Sequence, residues 1–305
     1  MSFGLVTVSA FVFYFLVDRY AAKKRQQRSF TYACPPPLIE PSDIVVHGRD
    51  LNLAADDLHR ILQKRVWYYR QLNQHYQQVF VFRLQVFLAR KTFIIKASEG
   101  VREMPVLVSA SAVQLTFGLP DFTLSFYRYI RIYPAEFVSE DFTKILVGNV
   151  TSNIITVAWT HFLDGYQDEQ DGANLGLHEM SHALYFQKIE VEAGYAKTFA
   201  KQFRHLFYLC QHAFESEVAG HKNLYSAYAE KDLQEFWAES VELFFEKPAL
   251  LREHYHLVFD QMLLLLNQDP ARKEAPIVNR GKAFPLYYRS YQSVTQARFR
   301  FSKNR

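Results

Sequence analysis

The feature that most limits what this chain can fold into is the pattern H-E-x-x-H at His178, Glu179 and His182. Histidines four residues apart lie on one face of an α-helix, so the two imidazoles can each present a nitrogen to one metal ion at about 2.0–2.1 Å. Glu179 follows the first histidine, which brings its carboxylate close enough to take a proton from water at the metal. The pattern predicts a helix with a metal site. The alternative is an amphipathic helix that carries two of the chain's 11 histidines.

A zinc ion in a catalytic site needs a third protein ligand and an open fourth position. The stretch "YAEKDLQEFWAESVELFFEKP" supplies three carboxylates on one predicted helix, those of Glu235, Glu239 and Glu242. Glu235 and Glu239 are four residues apart, so one can bind the metal while the other hydrogen-bonds a ligand histidine. Exposed carboxylates are the alternative interpretation. The apolar and aromatic residues around them favour a buried helix, in which carboxylates need partners.

Several segments of the chain resemble one family of enzymes. "LGLHEMSHAL", followed by a tyrosine seven residues before Glu235 and by "EFWAESVELFFEKPALL", resembles the metallopeptidases typified by the Mlc titration factor A. The blocks "FLARKTFII", "ASAVQLTFGL", "YIRIYPAEF" and "IITVAW" are similar to blocks of that family in the same order, so the resemblance spans roughly residues 80–270. The layout of the tyrosine and two glutamates also resembles the catalytic domain of anthrax lethal factor. This likeness implies a zincin fold whose third ligand is a glutamate.

The resemblance implies a role for each matching residue. Glu179 becomes the general base, and Tyr228 the phenol that hydrogen-bonds the negative charge developing on the substrate. Glu239 becomes the carboxylate that orients a ligand histidine, while Glu242 matches a glutamate of the family to which the sequence assigns no role. The implied ligands of one zinc ion are His178, His182 and Glu235.

The order of predicted elements indicates the fold class. The strand-like stretches "YIRIYPAEF" and "SNIITVAW" precede the motif, whereas everything after Ala173 is predicted helical, with an interruption near Pro248. Helical periodicity is also clear upstream, in "DDLHRILQKRVWYYRQL". This order predicts an α+β fold, zincin-like and mostly helical, with a small mixed sheet. In zincins an edge strand pairs with the substrate backbone, and residues 154–159 are our candidate for that strand. An ordinary core strand is the alternative.

The residues Phe3–Val17 carry no charge and are followed by the basic stretch "DRYAAKKRQQR". A cleaved signal peptide has its positive charge before the apolar stretch and a small-x-small site after it, and neither is present. We therefore expect one N-terminal membrane helix, extended past Val17 because a span needs about 20 residues. An interfacial helix is the alternative. The basic flank predicts a single-pass protein of the inner or cytoplasmic membrane, with its catalytic domain facing the cytoplasm.

Composition divides the chain into four regions. The prolines of "CPPPLIEPS" favour an extended spacer, and no second break of this kind follows. The predicted regions are a membrane anchor with its basic flank (1–29), a proline-rich linker (30–49), a zincin-like peptidase domain (50–290) and a basic tail (291–305).

The net charge of +4 comes from the ends of the chain. The stretches from Asp18 to Arg28 and from Arg289 to Arg305 carry +4 and +5, which leaves about −5 for the rest of the chain. Direct nucleic-acid binding is disfavoured, because it needs a basic face on the folded body. The two cysteines, Cys34 and Cys210, lie far apart, which indicates neither a disulfide scaffold nor a thiolate zinc site.

These observations predict a zinc metallopeptidase that hydrolyses peptide bonds of a peptide or protein substrate, with Glu179 as the general base. The alternative is a regulatory binding protein, because the family that the chain resembles is known for binding a transcriptional repressor. The zinc site would then be structural or weakly active. A structural zinc site normally has four protein ligands, whereas the sequence offers three.

Overall fold

The computed structural model describes residues 36–96, 102–139, 143–168, 170–191, 197–218, 224–226, 229 and 232–279. The predicted membrane anchor, Tyr228 and the predicted basic tail lie outside these ranges. Within them, no helix has both the length and the apolar character that crossing a bilayer requires. The described residues from Leu38 onward belong to one compact unit.

The described residues form seven strands in two sheets. The larger sheet is mixed and has five strands in the order β1-β2-β3-β7-β6, and the smaller one pairs β4 with β5. The strands are β1 (Ile44–His47), β2 (Thr92–Ile95), β3 (Tyr129–Tyr133), β4 (Phe137–Val138), β5 (Ile145–Leu146), β6 (Gly148–Thr151) and β7 (Ile154–Ala158).

The three central strands of the large sheet are parallel, and the outer strand on each side is antiparallel to its neighbour. Strands β2, β3 and β7 are parallel, with Phe93 opposite Ile130 and Ile130 opposite Ile155. The outer strands β1 and β6 run antiparallel to their neighbours. All five residues of β7 are buried, as expected for a strand that is covered on both faces. Strand β6 forms the edge of the sheet beside β7.

Ten α-helices are described, and the last six follow the sheet. A π-helix at Phe186–Val191 continues α6, and a 3₁₀-helix at Gly48–Leu51 follows β1. The helices are α1 (Ala55–Arg65), α2 (Trp67–Gln71), α3 (Gln74–Leu88), α4 (Glu103–Leu115), α5 (Trp159–Asp164), α6 (Leu175–Tyr185), α7 (Lys197–Val218), α8 (Leu233–Glu246), α9 (Pro248–His254) and α10 (His256–Leu266).

Helix α6, which carries the H-E-x-x-H motif, is held at the centre of the fold. It packs against α4, α8, β6 and β7. Helix α4 is buried from Met104 to Val113, and its small residues let α6 approach closely. A Cβ atom added at Gly176 would lie 2.4 Å from Oγ of Ser111 on α4, so the two helices pack with no room for a side chain there. Tight packing of this kind fixes the position of α6 relative to the sheet.

The α+β prediction, mostly helical with a small mixed sheet, is confirmed. The break near Pro248 is also confirmed, because α8 ends at Glu246 and α9 begins with proline at a position where its missing N–H costs nothing. Two local predictions differ from the structure. Regular structure begins at Ile44, inside the stretch assigned to the linker, because β1 pairs with β2. The helix predicted around residues 56–72 is divided at Val66, which has extended backbone angles.

Candidate metal centre

Helices α6 and α8 bring the three predicted ligand side chains together. Nε2 of His178 lies 3.2 Å from Nε2 of His182 and 3.1 Å from Oε2 of Glu235. Nε2 of His182 lies 3.5 Å from the other oxygen of Glu235. One potential ligand atom from each residue therefore lies within 4.8 Å of the other two, which is a group that can hold a metal ion.

The chemistry of these donor atoms fits a zinc ion. Nδ1 of His178 faces a carboxylate of Glu242 at 2.7 Å, so Nδ1 keeps its proton and Nε2 is the nitrogen that can give up its proton and present a lone pair to a cation. Three electron-pair donors so close together repel one another unless a proton or a cation lies between them. Two nitrogens bound tetrahedrally to zinc at about 2.0–2.1 Å lie about 3.4 Å apart. The observed separation of the two Nε2 atoms is close to this distance.

The electrostatics of the group also favour a positive charge at its centre. Burial disfavours a charged His178, but hydrogen bonds with Glu235 and Glu242 outweigh this effect and raise the pKa of His178 well above its usual value. Burial likewise opposes a charge on Glu235, yet hydrogen bonds with His178 and His182 lower the pKa of that carboxyl to about 2. The carboxylate of Glu235 is thus ionised and ready to bind a cation.

The carboxylate that contacts a ligand histidine is that of Glu242, and the assignment of this contact to Glu239 is wrong. Glu239 instead accepts hydrogen bonds from the backbone N–H and the hydroxyl of Ser226, with the N–H at 3.0 Å. The reason is the helical repeat. At 3.6 residues per turn, Glu242 comes back to within about 20° of Glu235, whereas Glu239 is about 40° away on the other side.

Glu179 lies beside the metal group and is almost completely buried, with 5 % of its surface exposed. Its carboxylate forms no hydrogen bond or ion pair with any residue that the structure describes. Burial raises the pKa of Glu179 to about 7, although the neighbouring His178 and His182 oppose this shift. A carboxyl group with this pKa and with unused oxygen atoms is suited to accept a proton near neutral pH. A bound cation would favour its ionised form.

A second group of contacts fixes the start of α6. The side-chain oxygen of Asn174 caps the helix by accepting from the backbone N–H of Leu177 at 3.0 Å. The amide nitrogen of the same side chain donates to the carbonyl of Gly165 at 3.2 Å and to Glu246 at 2.9 Å. The backbone N–H of Asn174 donates to Glu242. Two carboxylates of α8 therefore anchor the residue that caps the motif helix.

Further contacts join the middle of α6 to α8. The hydroxyl of Ser181 donates to the carbonyl of His178 at 2.6 Å, and Nε1 of Trp237 donates to the carbonyl of Ser181 at 3.2 Å. Trp237 is fully buried. The bond from Trp237 holds the two ligand-bearing helices in one relative register, and the bond between Ser181 and His178 lies within α6.

The metal group and Glu179 line a cavity of about 730 Å³. Strands β5 and β6 form one wall, and residues from α5 and from the loop before α6 form another. The described residues that line the cavity include no lysine or arginine, and the charged ones among them include Asp164 and Asp171. His161, which lacks a ligand spacing in the sequence, also lines the cavity and bonds Glu136 at 2.7 Å. The charged side chains of the described cleft wall are therefore mainly acidic.

The edge strand beside this cavity is β6, so the prediction that residues 154–159 form the edge is wrong. Those residues form β7 and α5, and β7 lies between β3 and β6. The apolar run of β7 reflects burial on both faces rather than an edge position. Strand β6 is short and begins with glycine, so its sequence offers little indication of a strand.

A comparison with known protein families finds one family that matches this chain. The family model of the glucose-regulated metallo-peptidases M90 matches residues 49–265, which is more than two thirds of the chain. The chain belongs to this family. No curated protein gives a significant match. The matched range contains both α6 and α8, so the M90 assignment and the metal group concern the same part of the molecule.

Two residues of this M90 metallopeptidase make contacts at the site that the sequence does not predict. Glu242 has no predicted role, because spacing alone does not tell which carboxylate reaches His178. The signal for Asn174 is its place directly before an apolar helix, where asparagine is a common N-cap. Tyr228, the predicted hydrogen-bond donor to the substrate, lies outside the described residues, so its position is not given.

Proposed function

We propose that this protein is a zinc-dependent peptidase in which His178, His182 and Glu235 hold the metal and Glu179 is the general base. The observation that carries the proposal is that three ligand atoms meet next to the buried carboxylate of Glu179, which has no hydrogen-bond partner among the described residues. Membership of a metallopeptidase family agrees with this arrangement. Three protein ligands leave a coordination position free for water or substrate, as catalytic zinc sites require.

Each side chain has a chemical task in this proposal. A zinc ion at this place supplies a Lewis acid that polarises the scissile carbonyl and makes water more acidic. The carboxylate of Glu179 accepts the proton of the attacking water and then gives it to the leaving amine, and such proton transfer typically contributes about 10²–10⁴-fold in rate. Glu242 accepts the Nδ1–H of His178 and so keeps the lone pair of Nε2 directed at the metal position.

Strand β6 offers a backbone surface for a peptide substrate. Ala158 donates to the carbonyl of Val147 at 2.7 Å, so residue 147 turns its polar groups toward β7. Backbone groups alternate along an antiparallel strand, and those of Gly148 and Val150 therefore point away from β7, toward the open edge. A substrate in extended conformation can pair with these groups and gain affinity independent of its side chains.

Tyr228 is the proposed donor to the substrate oxygen that becomes negative during hydrolysis. This part of the proposal rests on the family resemblance of the tyrosine seven residues before Glu235. Replacement of Tyr228 by phenylalanine is expected to lower kcat while the zinc content stays unchanged, because the phenol is not a ligand.

The decisive experiment replaces Glu179 by glutamine. We expect Glu179→Gln to retain one zinc per chain and to lose cleavage of a fluorogenic peptide library by at least about 10²-fold. Glu253→Gln, which removes an exposed carboxylate on α9, is the matched control and should cleave like the wild-type chain. Undiminished cleavage by the Glu179 variant would contradict the proposal.

The same experiment separates the peptidase from the alternative, a regulatory protein that binds a transcriptional repressor. Structural zinc sites are closed by four protein ligands, whereas the metal group among the described residues has three. This difference favours the enzyme. The regulatory role would be favoured if the wild-type chain binds zinc but cleaves no peptide of the library. It would also require that a chelator does not change the binding of the partner.

We also propose that residues 1–29 anchor the protein in the inner or cytoplasmic membrane, with the peptidase domain in the cytoplasm. The support is the uncharged stretch Phe3–Val17 and the basic residues after it. Fractionation of cells that express the full chain, compared with a chain lacking residues 1–29, tests this. Equal recovery of both chains in the soluble fraction would contradict the anchor.

A further inference from the structure

Gly148, the first residue of the edge strand β6, lies directly against the carboxylate of Glu179. A Cβ atom added at Gly148 would lie 2.1 Å from Oε1 of Glu179, 2.5 Å from Cδ and 2.7 Å from Cγ. Cβ atoms in protein structures essentially never lie within 3.0 Å of such non-bonded atoms. Gly148 does not have a positive φ, so its backbone conformation does not require glycine. Glycine is required at this position because the Glu179 carboxylate fills the space that a side chain would occupy.

Neither backbone can move away easily to make room for a side chain. Gly148 belongs to the ladder between β6 and β7, where it lies opposite Val157. Helix α6, which carries Glu179, is fixed at its start by the Asn174 cap and in its middle by the bond from Trp237 to the carbonyl of Ser181. A side chain at position 148 would therefore be accommodated mainly by rotation of the Glu179 side chain.

The position of the Glu179 carboxylate is set by packing. Catalytic carboxylates are commonly oriented by hydrogen bonds, but no described residue forms one with Glu179. The backbone of Gly148 instead closes one side of the space in which the carboxylate lies. His178 and His182, which interact electrostatically with Glu179, are themselves held by contacts with Glu242 and Glu235 of α8.

We propose that Gly148 is a positioning residue, whose lack of a side chain places the Glu179 carboxylate between the edge strand and the metal group. The proposal rests on the proposed function, since it assigns Glu179 the role of base. In addition, the proposal gives Gly148 of the edge strand two functions. The backbone groups of Gly148 point to the open edge, where a substrate strand would lie, while its missing side chain leaves room for the base.

The first test measures catalysis by the full-length chain with Gly148→Ala. A displacement of about 1 Å in a reacting group can cost about 10²-fold in rate. We therefore expect kcat for a peptide that the wild-type chain cleaves to fall by about that factor, while KM and zinc content stay near their wild-type values. Thr151→Ala is the control, because Thr151 is an exposed residue of the same strand that does not line the cavity. An unchanged kcat, or a loss of kcat that follows a loss of zinc, would overturn the proposal.

The second test measures stability and does not depend on activity. Gly148→Ala should lower the melting temperature of the wild-type chain, because the new methyl group meets the Glu179 carboxylate. In a chain that already carries Glu179→Ala, the same change should have little effect, because that carboxylate is absent. Such non-additivity is the mark of two residues in direct contact. An equal loss in both backgrounds would refute the contact.

The two tests also distinguish a failure of this inference from a failure of the proposed function. If the wild-type chain cleaves no test peptide, the proposed function fails, and the stability cycle still decides whether Gly148 fixes Glu179. If the wild-type chain is active and Gly148→Ala is equally active, the inference alone fails. If Gly148→Ala does not fold but folds together with Glu179→Ala, the contact is supported.

Discussion

Oε1 of Glu242 lies 2.7 Å from Nδ1 of His178, while its second oxygen accepts from the backbone N–H of Asn174. One buried carboxylate thus connects a metal-ligand candidate, the N-cap of the motif helix and α8. Burial raises the pKa of Glu242, and the contact with His178 opposes this effect. The family resemblance assigns this task to Glu239 and no role to Glu242, whereas in the structure Glu242 makes the contact.

Replacement of this carboxylate is expected to weaken zinc binding. In Glu242→Gln the amide nitrogen must face either Nδ1–H of His178 or the N–H of Asn174, so one donor loses its acceptor. Loss of such a partner typically costs about 10–100-fold in metal affinity. Competition with a chromogenic chelator measures the change. Glu239→Gln is the matched control on the same helix, and an equal loss of affinity in that variant would contradict the assignment.

Removal of the metal is expected to lower thermal stability as well as activity. A ligand that binds the folded chain alone stabilises it, by about 2.7 kcal/mol when its free concentration is 100 times Kd. Melting curves recorded with a chelator, and again after addition of zinc, should therefore differ by several degrees. The His182→Ala chain lacks one ligand atom and should show a much smaller shift. A shift equal to that of the wild-type chain would mean that zinc binds elsewhere.

The cap of the motif helix can be tested against a second cap of the same type. Asn73 accepts from the backbone N–H of Tyr76 at the start of α3, far from the metal group in sequence. Replacing either asparagine by alanine should cost about 1 kcal/mol of unfolding free energy, measured in urea. Asn174→Ala should cost more, because the side chain also bonds Gly165 and Glu246, and it should weaken zinc binding. Equal zinc affinity in both variants would show that the cap does not support the site.

A pH dependence of stability is expected from Glu246. Burial and the charges of Asp171 and Glu242 raise the pKa of Glu246 to about 8, although donors from Asn174 and Gly172 oppose the shift. Between about pH 4.5 and 8 the folded chain therefore holds a proton that the unfolded chain has lost. The contribution of this group to the unfolding free energy is largest at low pH and decreases as the pH rises through this window.

Substitution of Glu246 by glutamine removes this titration. The unfolding free energy of Glu246→Gln relative to the wild-type chain should therefore increase from pH 5 to pH 8. Urea unfolding at four pH values measures the trend, and the same substitution at the exposed Glu253 controls for removal of one carboxylate. A difference that stays constant or decreases with pH would contradict the shift of Glu246.

The sequence predicts the parts of this fold that depend on local patterns. The H-E-x-x-H spacing and the apolar periodicity locate α6 and α8, because both signals come from residues within a few turns of each other. The apolar run of β7 also identifies a strand. The position of β7 within the sheet cannot be predicted from this run, because a run of buried residues does not show which neighbouring elements cover it.

The remaining features depend on contacts between distant parts of the chain. The choice between Glu239 and Glu242 is decided by how α8 packs on α6, with His178 and Glu242 64 residues apart in sequence. Strand β6 has weak strand propensity and exists because β7 pairs with it. The requirement for glycine at position 148 comes from a side chain 31 residues later, which no local pattern reveals.

Glu235 is separated from His178 by 57 residues, so an ion shared by these two side chains would tie α6 to α8 across the whole intervening chain. Such an ion acts as a reversible cross-link that closes a long loop, and the entropy of loop closure grows with loop length. The rate at which the metal leaves would then report how often α8 separates from its partner helix. Conditions that withdraw the metal would make this half of the domain open to proteolysis before the sheet is affected.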